Sequence, residues 1–544
     1  MSRFHARPID DSFMNTTLEA ETATPVAVPG VAQFQAVRAA VKARPSVLIG
    51  SALLGLLAAW AFDGGPMGLG FFVVTTAFAN VLATGHGKEG WQSARGHRWL
   101  LSSAVVLSGF VAVRDSELLV AMNVFAVGAL LLLAVRGWNG ELPIADVTLK
   151  RLITSPFTTA GLGLQTGASA ISENIRTSKF SESWPAVFGP LAKMGLIGGP
   201  IVGLVTLLLA SGDAAFGAQV ESAAQHVTNL PLPELTRMGV VALCTFTLAT
   251  GLVTWAVRRR SLAAAETQEA PTALLGVPEA FAILGGLTVV LMLFSVVSAR
   301  CAFAPDSCTL PRGVTYSTYA REGFWQLLAV AAIVLMTVLS VPHRARATTV
   351  TLQKAVRIAA SVLVAATLPM LLSAVNRMML YEDAYGFTRQ RVLSQVVCVF
   401  VGILLVWRAL TLWTWPHRFA VGMVAASVLV LTGFNAMNPD AFIARKNVER
   451  PGSLDAEYLR GLSADAAPVL RAVPAERLEA YDAALFAQFR SAPGTMSSFN
   501  LARACDQAGG HPLSSVLCPQ ASRRLGFAIP VDREADLQHD QPAE

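Results

Sequence analysis

Long uninterrupted runs of apolar residues are the feature that most limits what this chain can fold into. Most runs are about 17–22 residues long, the length that an α-helix needs to cross a bilayer, and the third is shorter. Because apolar and polar residues do not alternate within them, we expect helices rather than barrel strands. About eleven runs occur, at about residues 46–62, 67–84, 99–113, 118–135, 194–211, 238–257, 280–299, 324–342, 358–375, 392–413 and 419–436.

The composition indicates the same class. Only 14% of the 544 residues are charged, whereas soluble domains carry about 25%. The sequence therefore predicts an all-α, polytopic helical membrane protein with about eleven transmembrane helices and a small helical C-terminal extramembrane domain. Its predicted parts are a disordered or amphipathic cytoplasmic tail at residues 1–45, a transmembrane domain at 46–436 and an extracytoplasmic helical domain at 437–544.

The distribution of Lys and Arg predicts the orientation of the chain. With the N-terminus inside, the cytoplasmic segments collect about 22 of these residues and the outside segments about eight, as the positive-inside rule requires. This asymmetry accounts for the net charge of +6 and the pI near 9.1, so no nucleic-acid partner is predicted. An odd number of spans then places the C-terminal domain outside.

The cysteines agree with this orientation, since no predicted cytoplasmic segment contains one. Cys244 and Cys398 lie in predicted spans. Two close pairs on an oxidising side of the membrane are expected to form disulfides, and the alternative is four free thiols. The possible disulfide cysteines are Cys301 and Cys308 in one outside loop and Cys505 and Cys518 in the C-terminal domain.

Two polar regions separate or follow the apolar runs. Residues 136–193 form the longest predicted cytoplasmic loop. Its glycines resemble those of a phosphate-binding loop, but no predicted strand precedes them, so nucleotide binding is not predicted. We interpret this loop as a surface-lying or loosely packed segment. After the last run, residues 454–473 and 474–492 carry apolar residues at three- and four-residue spacings, which predicts two amphipathic helices.

Ionisable residues are almost absent from the predicted spans. Arg408 is the exception, and it lies near the inside end of its helix, where a long side chain is expected to reach the headgroups. Transport through a buried carboxylate therefore has no candidate in the spans. Asn80, Asn123 and Gln395 are expected to hydrogen-bond between helices, and the alternative is that they line a polar path.

Three polar stretches on the predicted outside, residues 313–327, 376–391 and 437–450, are expected to meet at one face. All six tyrosines lie in outside segments of the C-terminal half, whereas an interfacial belt alone would place tyrosines at both faces. The predicted polar cluster consists of Tyr316, Tyr319, Arg321, Glu322, Arg377, Tyr381, Glu382, Asp383, Tyr385, Arg389, Asp440 and Arg445.

Three roles for this cluster remain open. Its charged side chains clamp the loops and dock the C-terminal domain, or its arginines hold an anion or headgroup that the carboxylates orient. In the third role, Glu382 or Asp383 acts as a general base. The eight histidines are scattered and no catalytic or nucleotide-binding motif occurs, so no catalytic residue, metal or cofactor is predicted.

Several stretches of the sequence resemble a known group of proteins. The runs TYSTYAREGFWQL, YGFTRQRV and NPDAFIARKNVER are similar to those of an uncharacterised bacterial multipass membrane protein family defined only as a domain of unknown function. The resemblance covers roughly residues 190–470. It implies a bacterial cytoplasmic (inner) membrane protein, and it assigns no activity and no catalytic residue.

These observations favour one function and leave two alternatives. The favoured hypothesis is an inner-membrane protein, embedded in the lipid bilayer, whose outside surface binds, senses or scaffolds an envelope protein, lipid or glycan. A transporter of a small solute or lipid is the first alternative and requires a polar path through the spans. A transferase acting at the lipid interface is the second, with Glu382 or Asp383 as its carboxylate.

Overall fold

The described part of the chain is helical. The computed structural model describes residues 43–62, 65–85, 97–139, 149–176, 202, 206, 209, 214–228, 234–257, 275–303, 316–346, 348–415, 418–450, 454–470, 472–473 and 499–503. The helices are α1 (Pro45–Ala61), α2 (Leu69–Gly85), α3 (Arg98–Val111), α4 (Glu117–Trp138), α5 (Leu149–Arg176), α6 (Ala214–Thr228), α7 (Glu234–Val257), α8 (Val277–Phe303), α9 (Tyr316–Arg344), α10 (Val350–Tyr385), α11 (Arg389–Trp413), α12 (Phe419–Met437), α13 (Pro439–Glu449), α14 (Ala456–Arg460) and α15 (Ala467–Leu470).

Seven helices in the described residues are long and apolar enough to cross a membrane, namely α4 and α7 to α12. The shorter apolar helices α1, α2 and α3 coincide with the first three predicted runs. The prediction of an all-helical membrane protein is therefore confirmed. The run at 194–211 lies almost entirely outside the described residues, so the total of eleven spans stays a prediction.

The outer surface of the bundle suits lipid. Phe125, Leu372 and Leu429 are among many large apolar side chains that are exposed on the apolar helices. So much exposed apolar surface would be unfavourable in water, whereas lipid tails solvate it. The exposed faces of these helices are therefore expected to contact lipid tails.

The bundle contains three apolar cores. The first joins α1 to α4 with α5, α7 and α12, and the second joins α8 to α11. The third core is smaller and lies where Leu119 of α4, Val392 of α11 and Phe434 of α12 meet Ile443 and Leu459 of the C-terminal helices. Because this third core contains residues of both regions, the chain after the last span is packed directly onto the ends of the spans.

Two special backbone positions turn the chain at this end of the bundle. Asn438 has a φ of 54° between α12 and α13, and its side chain accepts a hydrogen bond from the backbone N–H of Ala441 at 3.4 Å, which caps α13. Gly386 has a φ of 81° between α10 and α11. A Cβ atom at Gly386 would lie 2.8 Å from Oδ1 of Asn447, so glycine is required both by conformation and by space.

The chain after the last span differs in part from its predicted form. Residues 454–473 do not form one amphipathic helix, because α14 ends at Arg460 and a 3-10 turn at Ala464–Ala466 precedes α15. That prediction is wrong. Residues 474–492, the tail before residue 43 and the chain after 503 lie outside the described residues, so the tail and the C-terminal domain stay predictions.

Helix α5 lies in the region that the sequence analysis treats as a loop, and it packs tightly against α7. A Cβ atom at Gly251 of α7 would coincide with the carbonyl oxygen of Gly163, and one at Gly167 with that of Thr247. The contacts pair rising numbers in α5 with falling numbers in α7, so the two helices are antiparallel. The predicted loose packing is therefore wrong, and the cytoplasmic location of 136–193 stays a prediction.

The predicted hydrogen bonds between spans are present for two of the three residues. Asn123 of α4 and Asn435 of α12 are fully buried and exchange amide hydrogen bonds of 2.8 and 2.9 Å. Gln395 bonds to Glu382 across α11 and α10. Asn80 instead donates to the carbonyl of Thr76 in its own helix. The Asn123–Asn435 pair fixes the register of α4 and α12 near the C-terminal end of α12.

We expect Gly251→Ala to destabilise the protein by about 1–3 kcal/mol, because a methyl group there forces α5 and α7 apart. Gly285→Ala in α8 is the matched control, since a Cβ atom at Gly285 meets nothing within 4 Å. Thermal unfolding in detergent, followed by tryptophan fluorescence, measures both. Equal unfolding temperatures for the two variants would contradict the close contact.

Candidate functional site

An ion pair between the half-exposed Arg389 and the buried Asp440 joins the start of α11 to the start of α13. Arg389 Nε donates to Asp440 Oδ1 at 2.9 Å, and Arg389 Nη2 donates to Oδ2 at 2.6 Å. Asp440 is fully buried. The geometry is bidentate, which is the strongest arrangement for an arginine and a carboxylate. The backbone N–H of Ser463 also donates to Asp440 Oδ2 at 2.9 Å, so a single carboxylate connects three segments.

The turn between α10 and α11 is held by side chains from the C-terminal segment. Asn447 accepts from the backbone N–H of Phe387 at 2.7 Å and donates to the carbonyl of Phe387 at 2.8 Å. The hydroxyl of Tyr458 accepts from the backbone N–H of Arg389 at 2.8 Å. These bonds satisfy backbone N–H and C=O groups that would otherwise lack hydrogen-bond partners in a turn at the membrane surface.

A second carboxylate, that of Asp465, holds the turn between α3 and α4. It accepts from the backbone N–H groups of Asp115 at 2.7 Å and Ser116 at 3.2 Å, and from Arg114 Nη1 at 3.4 Å. Arg114 Nε also donates to the carbonyl of Asn435 at 2.8 Å. Asp465 therefore ties the first half of the bundle to the C-terminal segment.

Residues 499–503 complete this end of the bundle. Arg503 forms an ion pair with Asp115 at 2.7 Å and donates to the carbonyl of Met67. Asn500 donates to the carbonyls of Val111 and Arg114 at 3.0 and 2.7 Å. We call the surface formed by residues 112–116, 386–389, 438–440 and 462–465 the clamp end. The segment 499–503 binds to it mainly through backbone carbonyls.

The carboxyl groups of the clamp end differ in the direction in which their surroundings shift the pKa. Burial acts to raise the pKa of Asp440, but the hydrogen bonds from Arg389 and Ser463 outweigh it and leave that pKa below its usual value. Burial raises the pKa of Asp465 and of Asp115, despite the arginine and the backbone N–H that each of them contacts. Asp440 is thus the carboxylate that the structure stabilises most clearly in its charged form.

Glu382 is the polar residue that remains incompletely paired near the clamp end. Its side chain is 1% exposed, and Gln395 Nε2 donates to its Oε2 at 2.6 Å. Its Oε1 is buried and has no hydrogen-bond partner among the described residues. The expectation that no span buries a carboxylate is wrong, because α10 continues ten residues past the predicted end of its apolar run and carries Glu382 inward.

An aromatic and cationic surface covers the end of α10 beside Glu382. The rings of Tyr381 and Tyr385 have centroids 5.0 Å apart, and the guanidinium of Arg391 lies 4.2 Å from the centroid of the Tyr381 ring. Arg391 also donates to the carbonyls of Tyr385 and Gly386. Tyr385 is 52% exposed and Asp383 is exposed. This surface offers a carboxylate, a cation and two rings to a ligand.

The structure brings only part of the predicted cluster together. Arg389 and Asp440 pair, and Glu382 lies beside Tyr381 and Tyr385. Arg377 lies against Gly323 at the start of the eighth predicted run, with its guanidinium 5.9 Å from the Phe294 ring. Arg445 is exposed on α13. The side chains of Tyr316, Tyr319, Arg321 and Glu322, and the four possible disulfide cysteines Cys301, Cys308, Cys505 and Cys518, lie outside what the structure describes.

Sequence reasoning missed most of the clamp, notably Asp115, Asp465, Asn447, Tyr458 and Arg503. The bond from Asp115 to Asp465 joins residues 350 positions apart, and no local pattern marks either residue. The one available signal was the position of Asp115 in a short turn between two apolar runs. Among the described residues, no group of three His, Cys, Asp or Glu side chains is placed to hold a metal ion.

Arg408 does not reach the headgroups as predicted. It is 1% exposed, and its Nε donates to the carbonyl of Val338 at 3.3 Å while its Nη2 lies 3.1 Å from Nε2 of His343. The prediction is wrong because the guanidinium points into the bundle, toward α9. The run of apolar residues indicates how deep Arg408 lies but not which way its side chain points.

We expect Asp440→Asn to destabilise the protein by about 1.5–3 kcal/mol, because the change removes the charge-assisted hydrogen bonds of the half-exposed Arg389 to a buried carboxylate. The low pKa of Asp440 means that its contribution is present at neutral pH and is lost only as the pH falls below the usual range of a carboxyl group. Thermal unfolding in detergent at pH 7 and below pH 4 measures this: the gap between variant and wild type should close in acid.

Lys446→Gln is the matched control for the ion pair. Lys446 pairs with Glu449 at 3.4 Å on the exposed side of α13, and such surface pairs contribute about 0–1 kcal/mol. An equal effect of Asp440→Asn and Lys446→Gln at neutral pH would show that the Arg389–Asp440 pair does not hold the clamp end.

Comparison with known proteins gives one match. Residues 101–473 match the model of a family described as Domain of unknown function (DUF4153). A search of curated proteins and a search of solved structures each gave no match. The matched region includes Arg389, Asp440, Glu382 and Arg408 and ends before Arg503. Since the match covers more than half of the 544 residues, the chain belongs to the DUF4153 family.

Proposed function

We propose that this protein is a binding module of the bacterial cytoplasmic membrane whose clamp end faces outward and recognises an envelope component. The seven candidate spans support a membrane location. The orientation is supported by charge, because the predicted cytoplasmic segments, which include the opposite end, contain about 22 Lys and Arg residues and the outside segments about eight. The positive-inside rule favours the opposite end as the cytoplasmic one.

The single observation that carries the binding proposal is the buried Oε1 of Glu382, for which the described residues supply no hydrogen-bond partner. Leaving a buried acceptor unsatisfied costs about 1–3 kcal/mol. A ligand that brings a hydroxyl or amine donor removes that cost. Most other polar groups at the clamp end form hydrogen bonds that hold the loops. Glu382 is the group whose carboxylate still has an oxygen for a ligand to bind.

The surroundings of Glu382 favour a hydroxyl-rich ligand. Tyr381 and Tyr385 offer aromatic faces, which pack against the apolar faces of sugar rings, and Arg391 supplies positive charge to a phosphate or carboxylate. These groups lie at the end of a membrane span, at the depth of lipid headgroups. A glycan or a lipid headgroup of the envelope fits this combination, with Glu382 accepting from a hydroxyl.

A transporter is the second candidate, and one observation favours it. Along α5, α7 and α1, the side chains of Gln165, Thr166, Thr250, Thr254 and Ser51 contain buried oxygen atoms without partners among the described residues. Such a line of polar groups between helices would suit a solute path. The close backbone contact of α5 and α7 at Gly163 and Gly251 closes the space between these two helices, so we rank the transporter second.

The orientation is tested by accessibility of single cysteines. In a variant without native cysteines, we expect Asp383→Cys to react with a membrane-impermeant maleimide on intact cells, because Asp383 is exposed at the clamp end. Lys354→Cys, exposed near the start of the same helix, should react only after the cells are opened. The opposite labelling pattern would place the clamp end in the cytoplasm and would refute an envelope ligand.

The ligand proposal is tested by photo-crosslinking in cells. We expect p-benzoylphenylalanine at Tyr385 to form adducts with a glycan or lipid, detected by mass spectrometry of the purified protein. The same residue at Leu372, which faces lipid tails, should form adducts with bulk lipid only. Glu382→Gln should strongly reduce the specific adduct, because the amide replaces an acceptor that the ligand uses.

Glu449→Gln is the charge-matched control, because Glu449 lies on the exposed face of α13. It should leave the adduct at Tyr385 unchanged. Identical adducts at Tyr385 and Leu372, or an adduct that Glu382→Gln does not alter, would refute the binding surface.

A further inference from the structure

The end of the bundle opposite to the clamp end contains a buried arginine without an acidic partner. Arg408 of α11 contacts two neutral acceptors, the carbonyl of Val338 and the ring of His343, both on α9. No carboxylate in the described part of the chain pairs with it. A buried cation normally has an anionic partner. Since the described residues supply none to Arg408, its charge is not compensated by the residues around it.

The contact with Arg408 fixes the proton on His343. A guanidinium can only donate, so Nε2 of His343 must accept the bond from Arg408 Nη2, and the neutral ring then carries its proton on Nδ1. His343 is itself exposed. Its Nδ1–H is therefore a donor on the surface, and the buried charge of Arg408 lies directly behind it.

The neighbours of this pair add positive charge. Arg357 of α10 is half-buried, and its charge acts on both His343 and Arg408. From Gly323 to Arg418 the sequence contains two acidic residues, Glu382 and Asp383, which lie about seven turns away from Arg357 at the other end of α10. Glu279 lies at the start of α8, which reaches this end because Leu275 bonds to the backbone beside Ala345. The basic residues that share this end are His343, Arg344, Arg346, Lys354, Arg357, Arg408 and Arg418.

Tryptophans place this end at the depth of the headgroups. Trp413 and Trp415 are both partly exposed where α11 ends, and Trp413 Nε1 donates to the hydroxyl of Ser361 on α10. Arg418 lies 5.0 Å from the Trp415 ring. Tryptophan is enriched at the membrane–water interface. The anions available in quantity at that depth are the phosphates of lipids.

We propose that the ends of α9, α10 and α11 form a binding site for the phosphate group of an anionic phospholipid. In this site His343 and Arg357 contact the phosphate, and Arg408 supplies the buried charge behind His343. The site lies at the end of the bundle opposite to the clamp end, so it is independent of the envelope ligand proposed there.

The excess of basic over acidic residues at this end also indicates selectivity. Seven basic residues share the end with one described carboxylate, that of Glu279. The ammonium or choline group of a zwitterionic headgroup is repelled by this excess positive charge, whereas the net negative charge of phosphatidylglycerol is attracted by it. The site therefore discriminates by net charge as well as by the phosphate itself.

The test uses the full-length protein in detergent and titrates it with phosphatidylglycerol or phosphatidylcholine, with bound lipid counted by native mass spectrometry. We expect tight retention of phosphatidylglycerol only. Arg357→Gln should weaken it about tenfold or more, because the change removes a charge-assisted hydrogen bond to the phosphate. Lys446→Gln, which removes an exposed positive charge at the clamp end, is the matched control and should bind like the wild type.

A third titration with inorganic phosphate separates the two sources of the anion. Failure of inorganic phosphate to displace phosphatidylglycerol is expected, since the lipid is also held by its chains. Thermal stabilisation by inorganic phosphate, with none by phosphatidylglycerol, would overturn the assignment to a lipid. Equal retention of the two lipids, or an equal effect of Arg357→Gln and Lys446→Gln, would overturn the site itself.

Discussion

The bidentate pair of Arg389 and Asp440 is the interaction on which the clamp end depends. At the edge of a membrane, the backbone N–H and C=O groups of a turn have less water to bond to. The loops between spans therefore need hydrogen-bond partners within the protein. The pair joins the starts of α11 and α13, and Asp440 also satisfies the backbone N–H of Ser463. Asp465 performs the same task for the turn before α4. Both carboxylates come from the chain after the last span, so this segment acts as a cap that closes the bundle.

Arg389 and Arg408 lie on the same helix and illustrate opposite ways to accommodate a cation. Arg389 has a carboxylate with matched geometry and is satisfied within the chain. Arg408, five turns further along α11, is more deeply buried and contacts only neutral acceptors. The free-energy cost of burying a charge is large enough that the second arrangement requires either an external anion or strong compensation elsewhere. The first residue therefore stabilises the fold, while the second marks a place where the fold is incomplete without a ligand.

Much of the fold follows from local sequence, and the site does not. Ten of the predicted runs form apolar helices, because the length and apolarity of a span are properties of consecutive residues. The polar clamp depends on residues about 350 positions apart, which no local pattern connects. Glu382 was predicted to lie in a loop because its apolar run ends at residue 375, yet the backbone stays helical to Tyr385 and buries it. Arg408 was predicted to reach the headgroups because hydropathy gives the depth of a residue but not the direction of its side chain.

The packing of α5 on α7 has a consequence for how the protein is made. The buried face of α5 consists largely of small and hydroxyl residues, among them Ser155, Thr159, Gly163 and Gly167, and the helix is too polar to qualify as a candidate span. Its favourable contact is with the backbone of α7 at Gly251. Because α7 follows α5 along the chain, the ribosome delivers α5 to the membrane before its partner exists. The close contact of α5 with α7 therefore forms only after synthesis has passed α7, and this part of the bundle is completed later than the contact of α5 with α4 at Arg136 and Thr158 can form.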